Sequence, residues 1–449
     1  MVRYGTLADA PADVVIEQVR VIDPGSGVDE VRDLAVRGGV FAANATEGAR
    51  RIDGRGLVAA PGLCDLHAHL REPGNEAAET IASGSRAAAH GGYTTICAMP
   101  NTEPATDDAA RVRATLDRAT GASARVRVIA AATRGRAGER LADHAALAEA
   151  GAVALCDDGS SIGSAAVMRH ALRYAAQVGL PVMQHAEDAD VSDGSAMREG
   201  AAAVLLGLPG WPSSAEAAVV ARDIELARDT GAHLHVTHIS SSASLDHIRH
   251  ARQAGIQVTC DVTPHHLALT DRWVAGERRF AWEETEELRV DAERAYDGAT
   301  RVNPPLAPRD EALALLAAVA DGTVDAIATD HAPHTVTDKL TEFTAAAPGI
   351  AGLETALSLT LAAVAAGRIG LREALAALST RPAALIGEGR SLEPGAVADV
   401  VLFDPRATWV VEGSALASRG KNTPLLGMEL PGVVLLTIAA GRVTYDATG

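Results

Sequence analysis

Two hydrophobic periods divide the chain. Near the N-terminus, short runs alternate apolar and polar residues over 14–21, 33–36 and 51–60. Gly and Asp-Pro-Gly turns separate them, so the pattern predicts strands. Residues 398–403, 408–411 and 433–438 read the same way, and 441–443 close the chain. Neither end has enough strands to stand alone. Pairing both ends into one small β-sandwich domain would cover their edges.

Between the ends the period lengthens. Short apolar runs alternate with Ala-rich segments of helical period, the pattern of repeated βα units around a parallel sheet. Eight candidate strands fall at 63–67, 93–98, 126–131, 152–156, 181–185, 234–238, 256–262 and 324–329. Eight such units close a TIM-like (β/α)8 barrel. The expected fold class is therefore α/β, with residues 59–388 as the barrel and residues 1–58 and 389–449 as the two parts of the small domain. One segment stands out, 271–300, rich in Glu, Asp and Arg, between the seventh and eighth strands. A solvated helical excursion is expected there.

Composition narrows the class. With 47% hydrophobic and 22% charged residues, the chain has an ordinary globular make-up. Acidic residues number 58 against 40 basic ones, a formal charge of −18. Nucleic-acid binding needs basic patches, so that class is set aside. No apolar run approaches the roughly 18 residues of a membrane span. The first residues lack the charged-then-apolar plan of a secretory signal, so a cytoplasmic protein without a membrane partner is expected. Cys64, Cys97, Cys156 and Cys260 are scattered and read as buried free thiols of a reducing compartment.

Chemistry gathers at the predicted strand ends. His67 and His69 close the first strand, two apart, so both can face one ion. His185 ends the fifth strand, His238 the sixth and Asp330 the eighth, while the fourth runs into Asp157-Asp158-Gly159. Barrel active sites are built at those C-terminal ends. Any one of these histidines alone would read as a core residue. Together, imidazoles and carboxylates suit zinc, with manganese or iron also compatible by ligand type. Two metals close together need a bridge. A carboxylated lysine from the fourth strand is one solution, but only Lys339 and Lys421 exist among the 40 basic residues. An aspartate, Asp157 or Asp158, must take that place.

These motifs resemble the amidohydrolase superfamily, and within it the lysine-free bacterial dihydroorotases. The resemblance runs from Ala59-Ala-Pro-Gly62 to Lys421-Asn-Thr-Pro424. It passes through His67-Ala-His-Leu-Arg-Glu-Pro-Gly74, Met99-Pro-Asn-Thr102, Asp157-Asp-Gly159 and His185-Ala-Glu-Asp188. It continues with Thr263-Pro-His-His266, Asn303-Pro-Pro-Leu306, Asp330-His-Ala-Pro-His334 and Gly352-Leu-Glu-Thr355. By similarity, His67, His69 and Asp330 would hold a first zinc and His185 and His238 a second, with Asp158 bridging in preference to Asp157. Asp330 would also be the catalytic proton shuttle. Arg71, Asn101 and His334 would meet the ring carboxylate, Asn303 with the Pro348–Gly349 backbone the pyrimidine edge, and His69 would also touch the substrate.

The implied reaction is the reversible closure of N-carbamoyl-L-aspartate to L-dihydroorotate in pyrimidine biosynthesis. Alternatives are a related cyclic amidase, such as an allantoinase or dihydropyrimidinase, or a non-catalytic scaffold for aspartate transcarbamoylase. The amidases usually carry the bridging lysine and lack Arg71, and scaffolds lose metal ligands. Association with that transcarbamoylase is suggested by the resemblance, and a homo-oligomer is expected. His265 and His266 read as supporting residues, and His331 as structural. His233 and His235 read as barrel filling, and His90, His144, His170, His247 and His250 as packing or surface residues. Ala307 stands where the family pattern has an arginine, with Arg309 two residues on, so support of that loop is expected to be missing or displaced.

Overall fold

The computed structural model describes residues 2–283, 285 and 287–449. At its centre are the strands Leu63–Ala68, Tyr93–Ala98, Arg125–Ala130, Ala152–Cys156, Val182–Gln184, Leu234–Val236, Val258–Val262 and Ala326–Ile327. They follow one another around a parallel sheet in chain order. A parallel bridge between Ala68 and His331 joins the last strand end to the first and closes the ring. Strands five, six and eight are shorter than their apolar runs. The backbone leaves the ladder just before His185, His238 and Asp330, which frees those residues to turn inward.

Each strand is followed by a helix, and the fourth helix, Ala165–Val178, shows why. Its buried residues Met168, Ala171, Leu172 and Ala175 recur at helical spacing and make one apolar stripe. Ser164 starts it by accepting from the Val167 N–H, and Gly179 ends it at φ 73°, where a residue without Cβ is unstrained. Within the ring, Leu66, Cys97, Met99, Ile129, Cys156 and Met183 fill the space beneath the strand ends. All four cysteines are free and buried.

Both chain ends build one nine-stranded sheet. Val400–Val410 lies between Val58–Pro61 and Glu429–Ala439, so the C-terminal strands are inserted beside N-terminal ones. Alternation along Val400–Val410 serves two cores. Val400 and Leu402 pack with Ile16, Leu34 and Phe41, whereas Val401 and Phe403 join the barrel cluster. Each such side chain removed from water contributes about 1.5–3 kcal/mol, which fastens the small domain to the barrel.

The acidic segment departs from expectation. Between the short 3-10 turns Asp271–Trp273 and Gly298–Thr300, no α-helix occurs among the described residues. Aromatic packing organises it instead: Trp273 is fully buried, stacks on Phe280 and carries the Arg278 guanidinium over its ring. Gly276, at φ 94°, interrupts any helical run. Arg309 donates to the Ala281 carbonyl at 3.0 Å, and the Asp271 N–H to that of Ala307. The displaced arginine thus ties this segment to its own loop.

Candidate active site

The strand ends converge on two carboxylates. Asp330 Oδ1 lies 3.0 Å from His69 Nε2 and 3.4 Å from His67 Nε2. Asp158 Oδ2 is 3.3 Å from His67 Nε2, and its Oδ1 is 3.2 Å from His238 Nε2 and 3.5 Å from His185 Nδ1. Asp157 turns away and accepts from the Thr133 main chain and hydroxyl. All six clustered residues are buried.

Two groups could hold a metal ion. In His67, His69 and Asp330, and again in His67, Asp158 and His238, the ligand atoms lie within 4.8 Å of one another. His185 adjoins the second group, its Nδ1 3.0 Å from His238 Nε2. Both ring nitrogens of His67 and Nδ1 of His238 are buried without a hydrogen-bond partner among the described residues. Leaving such atoms unpaired is costly unless an ion or water takes them up. The charges agree. Burial alone would push His67 down, yet Asp158 and Asp330 hold it up at about 10. His185 also rises against burial to about 10, beside Asp158 and Glu187. Asp158 and Asp330, although buried, stay well below the usual carboxylate range because the imidazoles surround them. The cluster therefore attracts positive charge, and its donor set fits a metal.

A cavity of about 210 Å³ opens over this cluster. It is lined by His69, Arg71, Asn101, Asn303, His334, Pro348 and Gly349, together with Asp158, His185, His238 and Asp330. Every residue that the resemblance assigned to the substrate is thus at one place. Asn101 Oδ1 holds His69 Nδ1 at 2.7 Å. Arg71 donates from Nε to the Pro333 carbonyl at 3.2 Å, and its Nη2 lies 3.4 Å from His334 Nε2. Burial, then the Arg71 charge, brings His334 down to about 4. Arg71, His238 and Asp330 have φ of 59°, 33° and 45°. Such backbones cost on the order of 1–3 kcal/mol each and persist where the surroundings impose them.

Some contributors carried no sequence signal of their own. Asp261 accepts from the His238 N–H at 2.7 Å and holds His235 Nε2 at 2.8 Å, so His235 does more than fill the barrel. Glu187 meets His185 Nε2 at 2.8 Å; only the His-x-Glu spacing hinted at it. His266 is fixed between Thr263 and the Pro304 carbonyl, and His331 between Glu79 and the Gly352 N–H. His265 is buried beside His266 and belongs to neither ligand group. No helix of the described residues is long and apolar enough to cross a membrane.

Comparisons with known proteins agree with this geometry. The family model described as dihydro-orotase-like matches residues 56–244. A protein of Anaeromyxobacter dehalogenans named dihydroorotase is 45% identical over 438 residues, 96% of this chain and 97% of its own. One of Geobacter metallireducens with the same name is 41% identical over 440 residues, 96% of this chain and 99% of its own. Among solved structures, the L-hydantoinase (dihydropyrimidinase) of Arthrobacter aurescens superposes with a TM-score of 0.84 at 23% identity, covering 97% of this chain and 96% of its own. The dihydropyrimidinase of Brevibacillus agri gives 0.78 at 21%, covering 97% and 95%. Identities that low speak for the fold alone. The similarity to the curated relatives extends along nearly the whole of both partners, and the chain belongs to the dihydroorotase family.

Proposed function

We propose that this chain is a zinc-dependent dihydroorotase that interconverts N-carbamoyl-L-aspartate and L-dihydroorotate in pyrimidine biosynthesis. One observation carries the reading: a single small cavity collects the histidine–aspartate cluster and a half-buried arginine fit for an anionic ring. A chain at −18 repels an anionic substrate at long range, so local positive charge has to offset that. The Arg71 guanidinium supplies it as a planar fork that matches a carboxylate.

We assign His67, His69 and Asp330 to one zinc and His185 and His238 to a second, with Asp158 between them. When bound, zinc supplies a Lewis acid that acidifies water and polarises the amide carbonyl. The protein's part is positional. Arg71, His334 and Asn101, with His69, hold the ring carboxylate. Asn303 and the Pro348–Gly349 backbone address the ring's amide edge. Asp330 takes the proton from the attacking water and delivers it to the departing ring nitrogen as the C–N bond breaks. Ring closure runs the same steps in reverse and releases water.

We further assign residues 59–388 to the hydrolase domain, flanked by 1–58 and 389–449, and place the protein in the cytoplasm as a homo-oligomer with aspartate transcarbamoylase as a candidate partner. The test is hydrolysis of L-dihydroorotate by purified, zinc-loaded protein, with allantoin and dihydrouracil alongside. Turnover confined to dihydroorotate is expected. Turnover of either neutral ring in its place, or of none of the three, overturns the assignment.

A further inference from the structure

Four hydrogen-bond donors meet one carboxylate beside the histidine cluster. Glu187 Oε2 takes His185 Nε2 and Asn303 Nδ2, each at 2.8 Å. Its Oε1 takes Ser192 Oγ at 2.6 Å and Trp211 Nε1 at 3.3 Å. A carboxylate only accepts, so each partner must donate. That settles choices which the neighbours alone leave open. Whenever the His185 ring is neutral, its proton sits on Nε2, and Nδ1 offers its lone pair towards Asp158 and His238. The Asn303 amide nitrogen is committed to Glu187, while Asn303 also lines the substrate cavity. That bond fixes which way the amide is turned, and its oxygen, without a partner among the described residues, can accept from a ligand N–H.

We propose that Glu187 is a positioning residue that orients a metal-binding histidine and a substrate-sensing amide from one oxygen. It presents His185 through Nδ1, and it turns the Asn303 carbonyl oxygen towards a ring N–H of the substrate. The proposal rests on the reading of this cavity as a zinc-loaded dihydroorotate site. Glutamine cannot substitute. It replaces one acceptor with an NH2 group, which must face either His185 and Asn303 or the Trp211 indole N–H. A carboxylate that served only to tie Ser192 to Trp211 would affect stability. It would not set zinc affinity or the preference for an unsubstituted ring nitrogen.

The experiment compares the parent, Glu187→Gln and Ser192→Ala. Zinc affinity is read by competition with a chromophoric chelator, independently of turnover. Ring recognition is read as the ratio of inhibition or Michaelis constants for dihydroorotate and its ring-N-methylated analogue. Glu187→Gln should weaken zinc by about 10- to 100-fold, the usual effect of losing a ligand's supporting partner, and should lower the preference for the N–H ring. Ser192→Ala removes the shorter of the two hydrogen bonds that Oε1 accepts, leaving Trp211 on it, without touching His185 or Asn303. It should move both readouts the same way by roughly 2- to 5-fold, and it carries the test if the glutamine variant does not fold. Folded variants with the parent's zinc affinity and ring preference overturn the assignment of Glu187 alone. A parent that binds no zinc overturns this proposal together with the reading on which it rests.

Discussion

Asp65, on the first barrel strand, accepts a hydrogen bond from the Thr329 main-chain N–H at 2.8 Å, one residue ahead of Asp330. The same carboxylate takes the Thr329 hydroxyl at 2.5 Å and the His67 N–H at 3.3 Å. It thus fastens the last strand to the first immediately below the cluster. Asp65→Ala takes the acceptor from the two main-chain N–H groups, at about 1–3 kcal/mol for each one orphaned, while the Thr329 hydroxyl retains the His67 carbonyl at 3.3 Å. The variant should unfold several degrees lower and bind less zinc. Thermal unfolding together with zinc content would show both, and parent-like values would mean that the seam holds without Asp65.

Asp330→Asn keeps the size of the side chain and removes its basicity. The fold and much of the metal should remain, whereas turnover should fall by about 100- to 10,000-fold, the usual worth of a positioned acid–base group. Steady-state rates with metal analysis check this. Near-normal turnover would remove Asp330 from the proton path.

Arg71 is half-buried; its Nε donates to the Pro333 carbonyl and its Nη2 faces His334, which leaves Nη1 available to a carboxylate. Arg71→Ala should raise KM for dihydroorotate by about 10- to 100-fold, as hydrogen bonds to charged groups contribute some 1.5–3 kcal/mol. Dihydrouracil, which lacks the carboxylate, should be handled no worse than before. Equal losses on both substrates would mean that the arginine serves structure.

Gly349 sits at φ 140°, where a Cβ would lie 2.5 Å from Ala332 Cβ and 2.9 Å from its carbonyl oxygen. Its own carbonyl is held by Asn422 at 2.9 Å, so the loop cannot simply swing away. Gly349→Ala should displace Pro348 and raise KM by about tenfold, with a stability cost of roughly 1–3 kcal/mol. Kinetics that leave KM unchanged would separate this loop from the substrate.

Asp223 gives a pH signature remote from the cluster. It is buried on the helix Ser214–Thr230, with Arg222 Nε on one oxygen at 2.7 Å and the other oxygen unpartnered among the described residues. Burial raises its pKa from 3.8 to about 6, against the pull of Arg222. Between those values the folded chain binds the extra proton, so stability falls as pH rises across that window and stays lower above it. Asp223→Asn should stabilise the protein above pH ~6 by about 2 kcal/mol, the shift less one lost hydrogen bond. The gain should vanish below pH ~4. Melting temperatures across that range test the sign, and a pH-independent difference would contradict it.

The sequence made the barrel legible because eight apolar runs recur with helical segments between them, and His67, His69, His185, His238 and Asp330 carry their chemistry in their type and place. Asp158 could not be separated from Asp157 by pattern alone; only the fold shows Asp157 spent on Thr133. Glu187 stood in a recognised motif without a role. Its partners Ser192, Trp211 and Asn303 come from three later segments. The 271–300 segment hides its organisation for another reason. Its many charges outweighed Trp273 and Phe280, yet two buried aromatics are what organise it.

The order of strands in the small sheet sets a timetable for biosynthesis. Val58–Pro61 must wait beside an open edge until Val400–Val410 has been made. At on the order of 10 residues per second, that wait lasts roughly half a minute. For most of it His67 and His69 exist without Asp330, which is added late in translation. A nascent chain that has not yet reached Asp330 therefore holds no finished ligand set, and metal loading belongs to the steps that follow its synthesis.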